Sequence, residues 1–112
     1  MNARVFAPSI PSRFDAASHL WIPSVEISPA EKFGKLVVML PPNAARAGLA
    51  PCVAAMKERM EDFTEEDYLI GIGDPSLIGA ASCIAARKTG GLLRMLKWDR
   101  MAKDYYLAEV RV

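Results

Sequence analysis

The sequence predicts a mixed α/β domain, and three observations carry the prediction. Two short, all-apolar runs, Leu36–Leu40 and Tyr68–Gly73, have the composition of strands buried on both faces. Each is followed by a segment of helical periodicity. The chain then closes on two alternating segments, Leu92–Asp99 and Tyr105–Val112, joined by only five residues. The expected order is β-α-β-α-β-β, a mostly parallel four-stranded sheet with an antiparallel C-terminal hairpin at its edge.

Length sets the frame for these elements. A chain of 112 residues, 52% hydrophobic and 24% charged, holds one core and is too apolar to remain unfolded. Two parts are expected: an extended arm over residues 1–32 and a single α/β domain over 33–112. The arm carries Pro8, Pro11, Pro23 and Pro29, which fix φ and remove amide donors, so helix is not expected there. Its large apolar groups, Phe6, Ile10, Phe14, Trp21, Val25 and Ile27 among them, are too many for an inert tail. Residues 21–27 are expected to dock on the domain, and the first dozen to be loose or ordered by a partner.

Within the domain, Leu36–Leu40 ends at Pro41-Pro42, and Asn43 opens a short turn through Gly48. Pro51 suits a first helical position, where no amide bond is lost. Val53, Met56, Met60 and Phe63 then form one helix face, with Lys57, Glu58, Glu61 and Asp62 directed away. In Tyr68–Gly73, Gly71 and Gly73 leave one strand face bare, so a helix or backbone can approach closely. Asp74-Pro75 reads as an N-cap followed by proline at N1. The helix it opens buries Leu77, Ala80, Ala81, Ile84 and Ala85 and stops at Thr89-Gly90-Gly91. Leu36–Leu40 and Tyr68–Gly73 are expected side by side in the middle of the sheet.

Several functions are disfavoured. Cys52 and Cys83 lie far apart in alanine-rich runs, which suits reduced thiols better than a disulfide. The only histidine, His19, has no cysteine or second histidine near it, so no His/Cys metal set is expected. Neither a secretory signal nor a membrane span is visible, and a cytoplasmic location is expected. Ser76 and Ser82 lack a recognisable histidine partner, and Cys83 sits where a thiol acts as a small hydrophobe. No catalytic residue, metal or cofactor is therefore expected.

Three surfaces remain as candidates. The junction Gly73, Asp74 and Ser76 lies where a strand meets a helix N-terminus, a common place for anionic ligands. Against that reading, Asp74 itself occupies the cap, Pro75 removes a donor, and no lysine follows as a phosphate loop requires. The terminal hairpin interleaves cations with aromatics, Arg94, Lys97, Trp98, Arg100, Lys103 and Tyr105, the residue types that grip single-stranded nucleic acid. The net charge of only +1 and the acidic stretch Glu58–Asp74 oppose a strong phosphate-attracting field. The third is a protein-partner surface: the outer edge of the last strand is open to another chain, and the apolar arm with Phe6, Ile10 and Phe14 is placed to strap across a twofold-related neighbour.

The stretch from Gly34 to Val112, particularly Asp67–Ser76 and Leu96-Lys97-Trp98-Asp99-Arg100, resembles small proteins encoded by bacterial viruses and prophages. That resemblance implies an accessory role, in the host cytoplasm, and carries over no activity and no functional residues. Taken together, the expectation is a non-enzymatic binding or accessory module that forms a homodimer or holds a protein partner. Single-stranded nucleic acid through the hairpin is the alternative, and a small ligand or nucleotide at Gly73–Ser76 a weaker one.

Overall fold

Parallel strands need long crossovers, and this chain supplies three of them. The computed structural model describes residues 2–112. Its strands are β1 (Arg4–Ala7), β2 (Ser12–Asp15), β3 (Leu20–Pro23), β4 (Lys35–Val38), β5 (Tyr68–Ile70), β6 (Leu92–Asp99) and β7 (Asp104–Arg111). The helices are α1 (Leu49–Arg59) and α2 (Pro75–Lys88), with 3-10 turns at Ser28–Phe33 and Ala44–Ala47. Five strands form one sheet in the order β4-β1-β5-β6-β7; β2 and β3 form a separate hairpin. Every neighbouring pair of the sheet is parallel except β6 and β7.

The mixed α/β class, the predominantly parallel sheet and the antiparallel terminal hairpin are as the sequence predicts. The strand count is not: the sheet has five strands, and the additional one comes from the expected arm. Arg4–Ala7 lies between β4 and β5, with Val5, Phe6 and Ala7 fully buried. The two apolar runs are therefore not adjacent. The run beginning at Leu36 forms the outer strand β4, where Val38 is half-exposed. Arg4–Ala7, within the expected arm, is thus an inner strand of the sheet and not a loose segment.

Alternation along β1 divides the core in two. Phe6 points to one face with Met39, Leu40, Leu69 and Met56, under both helices. Val5 and Ala7 point to the other with Ile70, Leu96 and Tyr105, and the segment ending in the 3-10 turn, with buried Ala30 and half-buried Ile27 and Phe33, covers them. The expected docking of Ile27 holds, while Trp21 lies out on the β2–β3 hairpin. Close packing at the start of β4 requires Gly34, since a Cβ there would collide with the carbonyl of Ala3.

α1 buries Cys52 and Met56, with Met60 and Phe63 continuing the stripe beyond its last turn. α2 buries Leu77, Ala81, Ile84 and Ala85, the alanine-lined face expected from its sequence. Its cap is as predicted, Asp74 accepting from the Ser76 amide at 2.8 Å. Among the described residues, no helix is long and apolar enough to cross a membrane.

Candidate functional sites

Chain direction locates the first site. After β1 the chain passes to the face holding Ala30, whereas after β5 it enters α2 on the opposite face. Adjacent strands that send their connections to opposite faces leave a crevice beyond their carboxyl ends, the usual ligand position in open α/β sheets. A cleft of about 440 Å³ lies there. Ser9, Pro11 and Ser12 after β1, Asn43 and Arg46 after β4, and Gly73 and Asp74 after β5 line it.

Gly73 and Asp74 are thus at this cleft, as the sequence reading of the junction requires. The chemistry is that of a cap. Asp74 Oδ1 takes both the amide and the hydroxyl of Ser76. These bonds hold the Asp74 carboxyl below the usual carboxylate range, the Ser76 side-chain hydrogen bond contributing most. A fixed negative charge therefore sits where an anion would need free amides. Gly73 adopts a φ of +102°, and a Cβ there would press on the carbonyl oxygen of Ser9 at 3.2 Å, so glycine is required for the approach of the two loops.

The hairpin residues divide between the two sheet faces and do not form one binding surface. Trp98 stacks edge-to-face on Tyr105, with centroids 4.9 Å apart. Tyr105 is buried, its hydroxyl donates to the Glu26 carbonyl at 2.6 Å, and burial raises its pKa. Arg94 is held by Glu109 at 3.1 Å, lies 4.2 Å from the Tyr68 ring centre and donates to the carbonyls of Glu65 and Glu66. Lys97 extends from the opposite face toward the Tyr106 ring, while Arg100 and Lys103 lie exposed in the turn. The aromatic groups expected to stack on bases are largely structural.

Potential catalytic groups are also dispersed. His19 lies in the β2–β3 turn with φ 59°, against Phe14, and Cys83 is exposed on α2.

The third site is the sheet margin at β7. Leu93 and Met95 on β6 pack toward the helix core, so their partners Val110 and Ala108, together with Tyr106, share that face. Tyr106 is 46% exposed and Val110 54%, which places the outermost strand beyond the cover of α2. Leu107 on the other face is also exposed. An eight-residue strand with an unpaired edge and apolar side chains on both faces is available for strand addition. It differs from β4, the opposite edge, which has four residues and is followed two residues later by Pro41-Pro42.

These features define a small, mostly parallel α/β domain with a cleft beyond the carboxyl ends of β1, β4 and β5 and a long outer strand at one margin. The chain belongs to the Phage Pam3 gp32-like protein family, whose model matches residues 3–112. The resemblance to bacterial-virus proteins read from the sequence is thereby borne out. No curated protein and no solved structure matches the chain.

Proposed function

We propose that this protein is a non-enzymatic accessory module whose outer strand β7 accepts a strand from a protein partner, a second copy included. One observation carries the reading: β7 is long, unpaired on its outer side among the described residues, and bears exposed apolar side chains on each face. Main-chain bonds along such an edge supply affinity, and the alternating side chains supply specificity. Single-strand nucleic-acid binding has less support, because Trp98 and Tyr105 pack on each other and Arg94 is already engaged.

Leu107→Pro tests this reading, because it removes an outward amide and spares the bonds from β7 to β6. Wild-type and variant chains are compared by light scattering over a concentration series and by partner capture from host extract. The variant is expected to keep its circular dichroism spectrum and to bind at least about tenfold more weakly. Equal binding by a folded variant would exclude the edge as the contact.

A further inference from the structure

We infer that the strand received by β7 is β7 of a second copy, paired antiparallel about Ala108; this rests on the reading of β7 as an open edge. The phase of the ladder comes first. The Val112 amide donates to the Gly91 carbonyl at 2.7 Å, one step beyond the Leu92↔Arg111 pair. Bonded and non-bonded pairs alternate in an antiparallel ladder. The backbone groups of Tyr106, Ala108 and Val110 therefore face β6, and those of Tyr105, Leu107, Glu109 and Arg111 face outward. The Tyr105 amide agrees with this phase, since Asp104 Oδ1 takes it at 2.8 Å.

A twofold axis normal to the sheet keeps the helix face of both copies on one side. Opposed residues must then share a face, so the axis passes through a residue and not between two, and only centres near the middle of β7 pair most of its length. Centring on Glu109 sets two carboxylates directly against each other, and centring on Leu107 carries Arg111 past the end of the opposing strand to the turn that holds Lys103 of the second copy. Like charges in opposition disfavour both. Centring on Ala108 avoids these clashes and pairs the segment from Tyr106 to Val110 in full, while the Tyr105 amide stays with Asp104.

The Ala108 register also matches side chains. Tyr106 lies opposite Val110 twice, an aromatic–β-branched pairing that covers the two most exposed apolar groups on the helix face of β7. Leu107 falls opposite Glu109, which Arg94 already neutralises, and Tyr105 opposite Arg111. Ala108 meets itself at a non-bonded position, where Cα atoms come within about 4.5 Å. Two five-stranded sheets become one of ten strands, and the outer edge of each β7 disappears.

Cysteine cross-linking tests the register on the full chain. Cys83 is exposed and is first changed to serine. In that background, Ala108→Cys is expected to form a disulfide-linked dimer under oxidised glutathione at least about tenfold faster than Leu107→Cys, because only residue 108 meets its own copy within disulfide range. Faster linking through residue 107 would overturn the register and leave the edge reading intact. If neither variant links and light scattering reads a monomer throughout, the second copy is not the occupant. The Leu107→Pro capture experiment then judges the edge reading by itself.

Discussion

Phe6→Ala is expected to lower folding stability by about 4 kcal/mol, measured by denaturant unfolding. The Phe6 side chain is fully buried beneath both helices, and its ring meets Phe63 edge-to-face with centroids 5.2 Å apart. Truncation removes that burial and leaves a hole bounded by two helices and two neighbouring strands, which cannot all collapse together. A loss of this size is a large part of the roughly 5–15 kcal/mol that holds a domain of this kind folded. If the first residues were a loose arm, the same substitution would change stability by less than about 0.5 kcal/mol. The two outcomes are well separated.

Asp67→Ala is expected to cost about 3 kcal/mol in the same assay. Asp67 lies just before β5, and its side chain is only 2% exposed. One carboxylate oxygen accepts the Arg4 amide at 3.1 Å, and the other accepts Arg4 Nη2 at 2.9 Å and the Thr64 amide at 2.9 Å. Arg4 also reaches Asp62 at 3.0 Å, and its pKa is raised chiefly by the Asp67 hydrogen bond. Removing the carboxylate leaves two backbone donors and a guanidinium without their principal acceptor. Asp67→Asn keeps one acceptor oxygen and is expected to lose less. The pair ties the start of β1 to the start of β5, so both substitutions act on the inner strand.

Both sites belong to the part of the fold that local sequence does not encode. The helices and the terminal hairpin were legible because each is long enough to express its period: α2 through a capped alanine-lined stripe, β6 and β7 through eight residues of alternation. β1 has four residues, Arg-Val-Phe-Ala, followed at once by Pro8 and a proline-rich stretch. A run that short carries almost no periodicity. Pro8 suggested irregular chain, yet it only ends the strand and is itself fully buried. Parallel pairing with two non-local neighbours makes this segment a strand, and no local signal encodes that.

The candidate sites divide in the same way. The Asp74 cap was legible because capping is local, and so was the conflict it poses for an anion. The cleft beside it was not, because Ser9, Asn43 and Gly73 come together only when β1 is inserted between β4 and β5. For the hairpin, residue types suggested a basic and aromatic surface. Facing cannot be assigned from types alone, and Trp98 and Tyr105 turned inward to complete the core under Glu26. The open margin is legible as an edge because the terminal hairpin ends the sheet, whereas the exposure of Tyr106 and Val110 depends on how far α2 reaches across it.

Amide hydrogen exchange, read residue by residue in dilute and in concentrated solution, addresses the open margin most directly. In dilute solution the amides of Leu107, Glu109 and Arg111 should exchange freely, while those of Tyr106, Ala108 and Val110 are protected by β6. At high concentration the first three should become protected as well. If they exchange equally fast at both concentrations, β7 does not pair with its own copy.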